Sequence, residues 1–395
     1  MITVQTAESA LKNIYLETVV NDINTKTNPF LTMVGKNTRK VVGKDAIAPI
    51  RYNNEGAVAA GTEAGVLPSN ADAKIAEIVT PLKNLFGSFQ ITDKALKAAQ
   101  NSPGAFASLI GGEMQNLVAT AQTNLNRMVY GNGNALIAVA SSHNAGTRTF
   151  TVAQRYIGNF SVGVTFQVWN ANNERIGPAI LTVDGVNASA GTFSYAGTAI
   201  SVGRNERFYI YPAKFENLEM NGVDSLFLHD KLYNLDKSSY PAIMPFLYND
   251  TSATKKELDE AELLSFLDRF EDNAQSQPAD ILLCGPAVRK TLFENLKDNR
   301  SNIDVAEFAG GFKGFSFNGI PMYSDVRCKS GSLYALNSDS FAMHQLCDWT
   351  WLEGDDGSIL RPVSGKPVYS ATLVKYADLV CEKPFLQAKM TGYKG

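Results

Sequence analysis

Residues 102–131 read SPGAFASLIGGEMQNLVATAQTNLNRMVYG, and this stretch organises the whole chain around it. Ser102 and Pro103 open a helix. Serine caps the first free N–H groups, and proline at the first helical position gives up an N–H that has no helical partner anyway. Phe106, Leu109, Ile110, Met114, Leu117, Ala121, Leu125 and Met128 then hold a helical period as far as Gly131. At about 1.5 Å per residue this is a rod of about 40 Å, long enough to span a domain.

Upstream, Leu11, Ile14, Tyr15 and Val19 recur at helical spacing, and Asn28-Pro29 ends the pattern because a residue before proline disfavours helix. The reading is a short amphipathic helix followed by an arm. Asp45 to Tyr52 and Lys74 to Thr92 are extended runs separated by the small-residue stretch Gly56 to Ser69, which predicts a long hairpin with a flexible tip. Pro81 cannot donate to a central ladder, so its strand should lie at an edge or carry a bulge.

Downstream, short alternating runs appear at Thr149 to Val152, Thr165 to Trp169, Ile180 to Val183, Thr192 to Tyr195 and Arg207 to Tyr211. Glycine-rich turns at Gly158, Gly163, Gly177, Gly185, Gly191, Gly197 and Gly203 separate them, which predicts a small all-β barrel or sandwich. Its expected core is Phe150, Phe166, Trp169, Phe193 and Tyr209. Thr254 and Glu257 form a capping-box pattern ahead of a helix carrying Leu263, Phe266, Leu267 and Phe270 on one face. Ile281 to Cys284 reads as a buried strand, followed at Gly285-Pro286 by a helix burying Val288, Leu292 and Leu296. Asn318-Gly319 predicts a tight hairpin between Phe315–Phe317 and Ile320–Tyr323, and Ser332 to Leu336 and Val368 to Leu373 supply further strands.

Composition narrows the function. The chain has 395 residues, 45% of them hydrophobic, with 15 tyrosines and 21 phenylalanines, far too apolar for a disordered protein. A net charge of -3 argues against a surface built to neutralise many phosphates, and the basic run Lys36, Arg39, Lys40 and Lys44 reads as a solvated loop or subunit contact. Cys284, Cys328, Cys347 and Cys381 follow neither a disulfide nor a zinc spacing and are expected as reduced, mostly buried thiols. No secretory signal pattern opens the sequence and no apolar run reaches membrane-spanning length, so the protein is expected to stay in the cytosol.

Catalytic patterns are missing where they would have to show. The three histidines, His143, His229 and His344, are far apart, and His344 with Cys347 is half a metal spacing without its other half. Gly314-Phe315-Ser316-Phe317-Asn318 lacks the last glycine of a nucleophile elbow, and Gly310, Gly311, Gly314 and Gly365-Lys366 lack phosphate-loop spacing. Glu353, Asp355 and Asp356 could offer oxygens to a hard cation but read better as a solvated turn between Gly354 and Gly357. No catalytic, cofactor or metal residue is assigned, and an enzyme is not expected.

The order of these elements, together with Leu11-Lys12-Asn13-Ile14-Tyr15-Leu16, Thr80-Pro81-Leu82-Lys83-Asn84-Leu85-Phe86-Gly87, Asn126-Arg127-Met128-Val129-Tyr130-Gly131 and Phe317-Asn318-Gly319-Ile320-Pro321, resembles the major capsid protein of tailed bacteriophages with the HK97-type fold. The resemblance implies an α+β architecture: an N-terminal arm at 1–39, an E-loop hairpin at 40–92, a P-domain with its long spine helix at 93–146, an A-domain at 221–364, and a return to the P-domain at 365–395. The stretch 147–220 would be an inserted small all-β domain. The implied function is self-assembly as hexamers and pentamers into an icosahedral shell around double-stranded DNA, in a virion assembled in the host cytoplasm. Implied partners are further copies of the chain, a separate scaffolding protein, a portal, a decoration protein and non-specifically contacted DNA, with no membrane. Some family members join subunits by lysine–asparagine links. Lys74 and Lys83 lie in the corresponding arm, but no partner asparagine or catalytic acid is identified, and that chemistry is not carried over. Two rivals remain: an encapsulin-like compartment with the same fold, and an adhesive or carbohydrate-binding protein using the β-rich stretch.

Overall fold

The computed structural model describes residues 8–52, 58, 60–63, 65, 67, 69, 72, 74–99, 103–200, 207–228, 230–249, 255–274, 277–295, 305–309 and 311–394. The chain forms two compact units, each built from three separated segments: Met1–Leu31, Lys83–Ser225 and Cys347–Tyr376 in the first, and Thr32–Leu82, Leu226–Leu346 and Ala377–Gly395 in the second.

The first unit contains the expected long helix, Pro103–Val129, with Ile110, Met114, Leu117, Leu125 and Val129 buried along one stripe. Ser102, its expected cap, lies outside the described residues. After Gly131 the chain turns, and the end of the helix is held by the loop that returns at 217–223. Arg127 makes a two-pronged ion pair with Glu219, and the Val223 N–H donates to Val129 O at 2.7 Å. Gly222 permits this approach, since a Cβ there would stand 2.1 Å from Met128 O. The N-terminal segment is a π-helical turn, Leu11–Tyr15, running into the α-helix Leu16–Thr25, with Leu11, Val19 and Ile23 buried. Strand Lys83–Thr92 pairs with Val368–Cys381, as does Arg361–Pro362.

Six strands of the first unit close into a barrel, in the spatial order Thr192–Ala196, Thr149–Val152, Ala138–Asn144, Phe208–Pro212, Thr165–Trp169 and Arg175–Asn187. The alternation of the strands fills it with Phe150, Phe166, Val168, Phe193, Tyr195, Phe208 and Ile210. Phe160 stacks on Phe193 with ring centroids 4.0 Å apart. Two of the expected core residues are not in it. Phe208 and Ile210 point inward, so Tyr209 between them points outward, and Trp169 directly opposite shares that outer face, both half-buried. The barrel also begins earlier than its sequence pattern, at Ala138, because only small Ala138 and Ala140 face inward there and the run carries little strand signal.

The second unit is built on a seven-stranded mixed sheet in the order Phe246–Asn249, Gln387–Thr391, Ser332–Leu336, Ile281–Cys284, Ile320–Ser324, Lys313–Phe317 and Val305–Glu307. Ile281–Cys284 and Ser332–Leu336 are buried at every position, as central strands with both faces covered require. The helix Glu260–Asn273 buries Leu263, Phe266, Leu267 and Phe270 against this sheet, and Phe246 stacks on Phe266. Its cap is not the expected Thr254, which lies outside the described residues, but Asp259, whose carboxylate accepts from the Glu262 N–H at 2.7 Å. In the helix Pro286–Asn295, Val288 and Leu292 are buried, while Leu296 lies outside the described residues. Asn318 and Gly319 have φ of 50° and 78°, the left-handed pair that a two-residue hairpin needs.

Candidate assembly elements

The expected hairpin is present in the second unit as a three-stranded sheet, Val41–Val42, Asp45–Arg51 and Ile75–Pro81 in that order. The run from Lys74 to Thr92 is two strands rather than one. It breaks at Leu82, and Ile75–Pro81 is the edge strand that Pro81 demands. The hairpin buries one face, Ala46, Ala48 and Ile50 with Ala76, Ile78 and Thr80. Contacts hold it at both ends: near its base the Thr80 hydroxyl donates to buried Asp378 at 2.9 Å, and where the strands run into the tip Tyr52 meets Tyr240 edge-on at 5.2 Å. The other face leaves Val42 and Ile75 64% and 54% exposed, and beyond the strands Val58 and Leu67 are 100% and 86% exposed. Among the described residues nothing covers these apolar side chains. The rest of the predicted tip, including Gly56, lies outside the described residues.

The N-terminal helices do not extend away from their unit. The Glu8 carboxylate accepts from the N–H groups of Ile359 and Leu360 at 3.1 Å, the Trp351 indole donates to Leu11 O, and Lys12 Nζ donates to Gly357 O and lies 3.0 Å from Glu353. This docking accounts for the acidic turn. Glu353 pairs with Lys12, and Asp356 accepts from the Ser358 N–H and hydroxyl, which hold its carboxyl below the usual carboxylate range.

The remaining chemical candidates fall into structural roles. His143 sits against Phe150 with its Nε2 2.9 Å from Tyr195 Oη, and burial lowers its pKa. His229 lies outside the described residues. Buried His344 lies 3.3 Å from Glu382, whose other oxygen takes Lys40 Nζ at 2.5 Å. The His344 ring and then the Lys40 ammonium bring the Glu382 carboxyl down to about 2. Lys40 of the basic run is therefore committed within its own chain, while Lys36, Arg39 and Lys44 are exposed. All four cysteines are free thiols. Burial pushes Cys284 up to about 12 and Cys381 higher still, the opposite of a reactive thiolate. Gly314 serves strand contact rather than an elbow, since a Cβ there would lie 2.2 Å from Met322 O. Among the described residues no helix is long and apolar enough to cross a membrane, and no cluster of three or more metal-ligating side chains occurs.

One element escaped sequence reading. The tight turn between Lys231–Leu232 and Leu235–Asp236 places Tyr233 at φ 53° and brings the Asn234 side chain to the hairpin edge. The Tyr233 hydroxyl accepts from the Cys381 N–H at 2.8 Å. A turn at Tyr233-Asn234 is readable from the flanking leucines, but its contact 155 residues away is not.

No family model and no curated protein matches the sequence. Among solved structures, the chain is similar to the capsid subunit of cyanophage A-1(L), at 12% identity and a TM-score of 0.55 with 94% of each chain covered. It also aligns with the capsid of a native GTA particle, at 9% identity and a TM-score of 0.46 over 92% of this chain and 90% of that one. A third alignment is with the SrpI encapsulin of Synechococcus elongatus, at 9% identity and a TM-score of 0.42 over 94% and 89%. The likeness to the cyanophage subunit establishes a shared fold over nearly the whole of both chains, and at this identity the fold alone.

Proposed function

From the HK97-type capsid fold as premise, we propose that this chain is a structural shell protein, not an enzyme, which self-assembles as hexamers and pentamers into an icosahedral virion shell enclosing double-stranded DNA. The observation that carries the reading is the match to a phage capsid subunit over 94% of both chains. The hairpin supports it, since Val42, Ile75, Val58 and Leu67, on and just beyond its strands, are apolar groups left bare among the described residues and suited to cover by another subunit. In a closed symmetric ring each such contact repeats on every subunit, so individually weak contacts sum to a stable shell. A modest net charge of -3 suits a container whose DNA is driven in by a motor rather than attracted. A separate scaffolding protein and a portal are the partners this reading calls for, and a decoration protein is an optional third.

The test is negative-stain imaging of the full chain expressed alone and with a candidate scaffolding protein, followed by nuclease treatment of any particles. Closed shells of uniform diameter are expected. A chain that stays a dispersed single subunit under both conditions overturns the proposal, and shells that hold a protein cargo other than the added scaffold move it to an encapsulin-like compartment.

A further inference from the structure

The edge of the hairpin carries an inference that stands whether or not the chain builds a shell. The Tyr52 N–H donates to Lys74 O and the Leu82 N–H to Lys44 O, so in Ile75–Pro81 the even-numbered residues bond to the neighbouring strand. Ile75, Glu77, Val79 and Pro81 therefore turn their backbone groups outward, where no further strand is paired among the described residues. Such an edge is a template for another chain's strand. Pro81 closes one end of it by having no N–H. At the centre Asn234 does the work of a strand: its Oδ1 accepts from the Val79 N–H at 2.8 Å and its Nδ2 donates to Glu77 O at 3.0 Å. A residue of a parallel strand makes this same pair of bonds to the residues on either side of its partner.

The turn that presents Asn234 is itself strained. Tyr233 takes a left-handed φ of 53°, rare for a bulky side chain, and is held there by the bond from the Cys381 N–H to its hydroxyl. Strain of this kind persists only where surrounding structure holds it in place, and what it holds here is the aim of one amide.

We propose that Asn234 is an edge plug, an autoinhibitory contact that occupies the hydrogen-bonding edge of Ile75–Pro81 and stops two copies of the free subunit from pairing edge to edge. The occupant it excludes is the same edge of a second copy. Both bonds are solvent-exposed, so the plug is held weakly enough to be displaced.

Hydrogen exchange on the full-length subunit tests the wild type first. The Val79 amide is expected to exchange more slowly than the Glu77 amide, which points outward on the same strand without an acceptor among the described residues. In Asn234→Ala the Val79 amide is expected to exchange about fivefold faster or more. A Glu77→Cys thiol added to that variant should form disulfide-linked dimers that the same thiol in the wild-type background does not form. Asn234→Asp keeps the acceptor for Val79 and puts a charge on the edge, so it should remain protected at Val79 and undimerised. A Val79 amide no slower than Glu77 in the wild type overturns the proposal without any variant. Equal dimer yield in the Asn234→Ala and wild-type backgrounds overturns it as well.

Discussion

Replacing Gly222 by alanine is expected to destabilise the first unit far more than its single added methyl suggests. The new Cβ would meet three backbone oxygens, Met128 O at 2.1 Å and Gly131 O and Val129 O at 2.6 Å, and none of them can swing away as a side chain would. The loop must back off, which breaks the bond from the Val223 N–H to Val129 O and strains the ion pair of Arg127 with Glu219. The lost hydrogen bond costs about 1 kcal/mol and the forced backbone shift about 1–3 kcal/mol, a total of about 2–4 kcal/mol. In a unit of roughly 200 residues this lowers Tm by about 5–15 °C. The matched control is Gly112→Ala, inside the same long helix, where a Cβ meets nothing within 4 Å and the gain in helix propensity is worth up to about 1 kcal/mol. Scanning calorimetry of the three unassembled subunits reads both changes. Equal Tm for Gly222→Ala and the wild type would refute the close packing of this loop on the helix end.

Phe150→Ala removes a fully buried ring in contact with Phe166, Phe193, Tyr195 and Phe208 and should cost about 3–5 kcal/mol, read as lost exchange protection across the barrel strands. Leu117→Pro, at a buried position of the long helix, should cost about 3 kcal/mol or more and abolish soluble subunit, and normal solubility would place the helix wrongly. Acid is the third perturbation. The Glu382 carboxyl is held down from 4.5 to about 2, so its contribution is complete above 4.5 and fades as pH falls towards 2. Glu382→Gln should therefore be less stable than wild type near neutral pH, by roughly 1–2 kcal/mol after solvent screening, and the two denaturation midpoints should converge at the acid end. A gap that is constant with pH would exclude an ionised Glu382 as the cause.

Local patterns carried most of the architecture. The long helix from Pro103, the strands Thr149–Val152, Thr165–Trp169, Ile281–Cys284 and Ser332–Leu336, and the Asn318-Gly319 hairpin all follow from period and turn chemistry acting over a few residues. The failures have physical causes too. Ala138–Asn144 has no bulky inward residue to mark it, Tyr209 and Trp169 look like core by size although strand parity turns them out, and Asp259 caps a helix in competition with an equally plausible Thr254 pattern. The candidate assembly elements were legible only in part. The extended runs announced the hairpin and Pro81 its edge, but the clasp by Asn234 and the docking of Lys12 on Glu353 join residues 155 and more than 300 positions apart, which no short-range pattern encodes.

The interleaving of the two units also sets a timetable for synthesis. Gln387–Thr391 lies between Phe246–Asn249 and Ser332–Leu336, and Val368–Cys381 is the strand on which Lys83–Thr92 and Arg361–Pro362 pair. Each sheet therefore waits for an interior strand made after nearly all its neighbours, and the sequence separation of these pairings makes closure slow. A nascent chain that ends before residue 368 contains every strand of the barrel but can complete neither sheet. A product cut short before residue 387 lacks a central strand, so it should be degraded rather than accumulate.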